Sequence, residues 1–133
     1  SNGLSDVVSR TQVVIEFGLD GAILNANGKF YDAFGYAPDE VRGLSHAALV
    51  DPAYRQSTEY RLFWDGLARG EKAAGQYRML GKGGKEIWLQ ASYARADDDA
   101  GKPGRIVQIG LDVTEAAQKA AANAASRFRK SPM

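Results

Sequence analysis

No cysteine occurs in the 133-residue chain, and histidine occurs once, at position 46. The first absence excludes disulfides, thiolate nucleophiles, iron–sulfur clusters and cysteine-based zinc sites. The second excludes histidine-cluster metal sites and any catalysis that needs two imidazoles. Net charge is nearly absent as well. The 17 basic and 16 acidic side chains leave +1, without the basic excess of a dedicated nucleic-acid binder. No run of about 18 apolar residues is present, so no segment reads as a membrane-spanning helix. Ser1-Asn2-Gly3 lacks the charged and apolar regions of a signal peptide and reads as a cloning remnant. The expectation is a cytoplasmic protein with one hydrophobic core, since a length near the modal domain size of about 100–150 residues leaves little for a second.

What is present is patterned. Val13, Ile15 and Phe17 alternate as a half-buried strand does. Asp20-Gly21 carries hairpin chemistry and leads into a second short strand, residues 22–26. Asn27 is placed to cap a helix whose face is Phe30, Ala33 and Phe34 and which Gly35 stops. Pro38-Asp39-Glu40 starts another helix, which Gly43 ends. Tyr60, Phe63, Trp64 and Leu67 fall at i, i+3, i+4 and i+7, which predicts a helix from about Thr58 to Arg69 with Ser57 or Thr58 as its cap. Three strands follow: Gly75 to Leu80, Glu86 to Arg95 and Arg105 to Val113. Gly-rich residues 81–85 separate the first two strands, and a polar loop at residues 97–104 separates the last two. Strands joined by hairpins and helices gathered between them predict an α+β domain, an antiparallel sheet with helices on one face and a pocket between the layers.

Charge and composition divide the chain near Thr114. Residues 1–114 hold 13 basic and 15 acidic side chains, and residues 115–133 hold four and one. Seven alanines between Glu115 and Ala125 favour a helix. That helix lacks a wide apolar face, so it is either frayed or completed by a partner. The expected division is a flanking helix or cap at residues 1–10, a core domain at 11–114 and a linker helix at 115–133.

Ile15-Glu16-Phe17 with Asp20-Gly21, Asn25-Ala26-Asn27 through Phe34-Gly35-Tyr36, Pro38 to Gly43, and Asp112-Val113-Thr114-Glu115 stand in the order and at the separations of a PAS sensory domain, which the chain resembles from Val13 to Glu115. Asp51-Pro52, Tyr60 to Trp64, Leu67 to Glu71 and Gly83 to Tyr93 resemble the PAS domains of bacterial methyl-accepting chemotaxis and aerotaxis receptors. The resemblance implies a five-stranded PAS fold and a non-enzymatic sensor. It also implies an output domain in the same receptor, a possible homodimer and a possible small ligand, haem or FAD, held between helices and sheet. The alternative is a ligand-free PAS module used for dimerisation.

The residues expected to line that space are His46, Phe63, Trp64, Tyr77, Met79, Leu89, Ala91, Gln108 and Gly110, with Tyr93 completing the inner wall. His46 is the only histidine available to haem iron; its other reading is a structural residue, exposed or bonded to backbone. Phe63 and Trp64 suit a flat cofactor or simply fill the core. Apolar side chains alternate on both faces of the last strand, so periodicity leaves its inner face open; the PAS register turns Gln108 and Gly110 inward, where an amide needs a partner. Without a cysteine, the cysteinyl-flavin photoreceptor chemistry of that family is excluded. Asp112 and Thr114 are expected to couple the last strand to the exit helix. Trp88 falls on the outer face, where Leu4, Val7 and Val8 could cover it within the chain or across a dimer. Carboxylates cluster in turns and on exposed faces, which argues against acid–base catalysis.

Overall fold

A computed structural model describes residues 3–101 and 103–130. Ser1 and Asn2 of the expected remnant, Lys102 of the expected loop and the last three residues of the expected linker lie outside the described residues. Five strands form one sheet in the order β2-β1-β5-β4-β3, with every neighbouring pair antiparallel. The strands are β1 (Val13–Phe17), β2 (Ile23–Ala26), β3 (Ala73–Leu80), β4 (Glu86–Asp97) and β5 (Pro103–Asp112). Helices α2 (Gly28–Phe34), α3 (Pro52–Arg55) and α4 (Thr58–Ala68) lie between β2 and β3 in the chain, with α1 (Gly3–Thr11) before the sheet and α5 (Thr114–Lys130) after it. The α+β sheet-and-helix arrangement expected from the sequence is therefore present.

The core forms where the period-two faces of β1, β3, β4 and β5 meet the helices. Val13, Ile15 and Phe17 of β1, Met79 of β3, Ile87, Leu89 and Tyr93 of β4 and Ile106 of β5 are buried together with Phe30, Phe34, Leu49 and Leu67 from the helical side. On β5 the inward residues are Ile106, Gln108 and Gly110, whereas Ile109 and Leu111 are exposed at 36% and 49%. The ladders decide this. Val13 and Ala91 flank Gly110, and Ile15 and Tyr93 flank Gln108, all on one face. Glycine at 110 reflects the closeness of β4, since a Cβ there would lie 2.6 Å from the Ala91 Cβ and 2.8 Å from the Gln90 carbonyl oxygen.

Local signals locate most boundaries. Asn27 caps α2, its Oδ1 accepting from the Phe30 N–H at 3.1 Å, and Gly35 ends it at φ 78°. Ser57 caps α4 by accepting from the Tyr60 N–H at 3.1 Å. Other boundaries differ from expectation. Pro38–Val41 makes one 3₁₀ turn instead of a helix. His46–Leu49, a second such turn, and α3 are elements that the periodicity does not announce because each is only four residues long. The predicted loop at 97–104 shrinks to a tight turn, because Ala96 pairs with Arg105 and Asp97 with Pro103 across a register irregularity. There the Asp98 carbonyl accepts from the Gly101 N–H at 3.0 Å. Within the chain, α1 does not cover Trp88. It packs beside α2 with Leu4 76% exposed, and α5 is the helix that runs along β4.

One side chain ties the N-terminal elements together. Asn27 Oδ1 also accepts from the Val14 N–H at 3.0 Å, and its Nδ2 donates to the Gln12 carbonyl at 2.7 Å and the Ser9 carbonyl at 3.1 Å. Asn27→Ala loses a helix cap and three further bonds, two of them part-buried. The expected loss is about 2–3 kcal/mol in urea unfolding. A loss under about 0.5 kcal/mol would show that these bonds are exchanged for water without cost.

Candidate functional site

The interior between α4 and the sheet is organised by His46. Its backbone is fixed at the sheet edge: the His46 N–H donates to the Gly21 carbonyl at 2.8 Å, the Ile23 N–H donates to the Leu44 carbonyl at 3.0 Å, and Ala22 and Ser45 form an isolated bridge. This clamp directs the imidazole into the core, where His46 is 2% exposed. Nδ1 pairs with the Tyr60 hydroxyl at 2.7 Å and Nε2 with the Tyr93 hydroxyl at 2.8 Å. Phe17 and Trp64 stand edge-on to the ring at centroid distances of 5.2 Å each, with Phe63 at 6.4 Å. Tyr77 completes the cluster through Tyr93, 5.1 Å away.

Electrostatics follow from burial. Loss of solvent pushes the His46 pKa down to about 3, with no carboxylate to offset it, so the ring is neutral at ordinary pH. Burial pushes the Tyr60 hydroxyl up to about 12 and that of Tyr93 well above its ordinary value. A neutral imidazole has one N–H, so one of the two tyrosines donates to it and the other accepts. The Trp64 indole lies close enough to favour ionised Tyr60 slightly, yet Nε1 is buried without a hydrogen bond that meets full geometry. Deeper in, Gln108 is wholly buried. Its Nε2 contacts Met79 Sδ at 3.2 Å, a weak acceptor, and its Oε1 has no partner.

Neither possible cofactor fits this packing. A haem iron would have to take an imidazole nitrogen from a buried tyrosine, because both are engaged. For a flavin, the aromatic side chains that would stack on it are packed edge-on against one another, Phe63 meeting Trp64 at 85° and Tyr93 at 89°.

At the far end of β5 the chain turns into α5 through a compact junction. Asp112 Oδ1 accepts from the Thr114 N–H at 3.0 Å and from its hydroxyl at 2.5 Å, and Thr114 Oγ1 accepts from the Trp88 N–H at 3.0 Å. The Val113 N–H donates to the Trp88 carbonyl at 2.8 Å. A second connection runs over the surface. Arg78 Nη1 bonds Asp51 at 2.7 Å beside α3, Arg78 Nε bonds Glu86 at 2.6 Å, and Gln118 of α5 donates to Glu86 at 3.0 Å. The Gln118 and Arg78 bonds hold the Glu86 carboxyl below its ordinary value.

Of the residues singled out in the sequence, His46, Phe63, Trp64 and Tyr77 share the aromatic cluster, and Gln108 meets Met79 beside it. Leu89, Ala91 and Gly110 lie farther along the same face, in the packed core toward the exit. Tyr93, expected on the inner wall, holds His46 together with Tyr60, which is missing from that set. Its signal is present, since Tyr60 stands one helical turn before Phe63 and Trp64. Arg78, Asp51, Glu86 and Gln118 gave no local sign, being brought together from four separate elements.

Comparison with known proteins agrees with this geometry. The PAS fold family matches residues 23–109. The chain is 37% identical over 110 residues to the biofilm dispersion protein BdlA of Pseudomonas aeruginosa, a match covering 83% of this chain and 26% of that protein. It is 31% identical over 95 residues to the bacterioopsin transcriptional activator of Halobacterium salinarum, covering 70% and 14% respectively. The chain thus spans about a quarter or less of the length of these relatives. Among solved structures, the PAS domain of a Colwellia psychrerythraea protein superposes with a TM-score of 0.68 at 18% identity, over 84% of this chain and 95% of that one, a likeness of fold.

Burial of neutral His46 makes stability depend on pH. Its folded pKa of about 3 lies below the ordinary value of 6.5, so the unfolded chain takes up the proton first as pH falls. The contribution is full above pH 6.5 and declines toward pH 3, by about 5 kcal/mol in total. As pH falls below 4.5, the ordinary glutamate value, Glu40 and Glu86, both held low by their hydrogen-bonded partners, add losses in the same direction. His46→Asn is expected to flatten the slope between about pH 6.5 and 4.5 in denaturant titrations. The single imidazole resonance of the parent chain is expected to stay untitrated down to about pH 4; titration near pH 6.5 would contradict the buried, neutral assignment.

Proposed function

The chain belongs to the PAS family, and on that premise we propose that it is the sensory module of a cytoplasmic receptor of the chemotaxis or aerotaxis type. Residues 11–114 are the sensing core, 1–10 a cap, and 115–133 the linker to an output domain in the same receptor. The module performs no catalysis of its own. It binds a small ligand on the inner face of β5 and passes its state through Asp112 and Thr114 to α5. Likeness to BdlA supports the receptor setting.

The observation that carries ligand binding is the orphaned carbonyl of Gln108. A buried amide oxygen with no donor is costly, by about 1–3 kcal/mol, and an N–H or O–H group of a small ligand would remove that cost. Gln108 and Asp112 stand four residues apart on the same strand, so a shift that accommodates a donor at one is felt at the other. A second reading is a ligand-free dimerisation module, favoured by the closed aromatic interior and by exposed Leu4, Leu24 and Leu111.

Gln108→Leu distinguishes them. With the acceptor removed, the ligand-free domain is expected to gain about 1–2 kcal/mol of stability. A ligand retained by the parent domain in native mass spectrometry is expected to be lost. If the parent carries no bound molecule and runs as a dimer with or without Gln108, the second reading holds. In an intact receptor, Asp112→Ala is expected to abolish the response while leaving expression unchanged; an undiminished response would remove the proposed exit route.

A further inference from the structure

A cleft of about 260 Å³ opens between the β1–β2 turn and α4, apart from the interior around Gln108. Tyr60 and Trp64, one helical turn apart on α4, give it an aromatic wall; Arg61 and Asp65, likewise one turn apart, and Asp20 of the facing turn line it too. Asp20 uses Oδ1 to accept from the Ala22 N–H at 3.1 Å. Among the described residues none of Asp20, Arg61 and Asp65 takes part in an ion pair. Trp64 presents its ring to the cleft, while its buried indole N–H lies beside the Tyr60 hydroxyl.

We propose that this cleft binds a small zwitterion of amino-acid type. Two carboxylates suit an ammonium group, a guanidinium suits a carboxylate, and the Tyr60 and Trp64 rings offer a surface for a short hydrocarbon side chain. A simple anion would face Asp20 and Asp65, and a simple cation would face Arg61. Only a molecule bearing both charges satisfies all three groups. Occupancy is read inward through Tyr60. Its hydroxyl binds His46 Nδ1 and His46 Nε2 binds Tyr93 on β4, so an occupant that engages Tyr60 changes which tyrosine receives the single imidazole proton.

L-leucine is the probe, with 3-methylbutylamine and 4-methylpentanoate as matched molecules that each lack one charge. The chain has two tryptophans, so two indole N–H signals appear in a ¹H–¹⁵N spectrum, assigned by Trp64→Phe. L-leucine is expected to shift the Trp64 signal and leave that of Trp88 in place, saturating at or below about 1 mM. Each half-molecule is expected to bind about tenfold more weakly or worse, as are Asp65→Asn and Arg61→Gln. Both substitutions alter exposed side chains, and the remaining resonances report that the fold is kept. No Trp64 shift by about 10 mM L-leucine would overturn the proposal, as would equal binding of 4-methylpentanoate or unchanged binding by both variants. Gln108→Leu is expected to leave L-leucine binding intact, so the cleft can fail or hold independently of a ligand at β5.

Discussion

The position of β5 between β1 and β4 is the constraint on which the other features rest. A strand paired on both sides cannot slip by one residue without turning every side chain over. Slippage here would bring Ile109 and Leu111 inward, which hydrophobic burial alone would reward. It would also remove Gly110 from the place where a Cβ meets Ala91 at 2.6 Å, and a larger side chain would enter a space too narrow for it. Sterics at one glycine and two hydrogen-bonded ladders therefore outweigh the apolar pattern of a single strand. The consequence is a wholly buried glutamine with one unpaired oxygen and two exposed aliphatic side chains on the opposite face.

With β5 and β4 so placed, Tyr93 stands beside Gln108, and the polar interior is assembled around a histidine brought from the helical side. Its protonated form would be a buried charge without a counter-ion, so burial selects the neutral ring. Neutrality in turn gives the Tyr60–His46–Tyr93 chain a direction, because one N–H must serve two neighbours. The same hydrogen bonds that satisfy His46 take from it both nitrogens that a metal would use. This is why a lone histidine on the helical side of the sheet is a poor guide to haem: its location was legible, but its partners were not.

How much of the fold could be read from sequence depended on how local its cause was. The Asn27 cap, the Gly35 stop, the aromatic stripe of α4 and the alternation of β4 each lie within a window of a few residues, and each appears where its pattern falls. The four-residue turns at His46 and Pro52 are too short to have a period. The charged turn at residues 97–104 reads as a loop until pairing between Ala96 and Arg105 extends both strands into it. The inner face of β5 remained ambiguous because apolar residues occupy both sides. Its resolution came from the neighbouring strands, and the Arg78 connection likewise depends on contacts between distant parts of the chain.

The exit from the sheet shows how such non-local contacts can govern a locally weak element. An alanine-rich helix without an apolar face has little to gain from packing, and isolated helices of about 12–15 residues are marginal in water. The 17 residues of α5 are nearly all exposed beyond Gln118, with Phe128 exposed at 83%. Its orientation therefore depends on its first turn, where Asp112, Val113, Thr114 and the Trp88 backbone share four bonds and Gln118 touches Glu86. Exposed ion pairs such as Arg78–Asp51 and Arg78–Glu86 contribute little individually to stability, about 0–1 kcal/mol. Direction is a different matter, since a helix that meets the sheet at its base is turned by small displacements there. A junction weak in energy but specific in geometry can be reoriented without breaking the core.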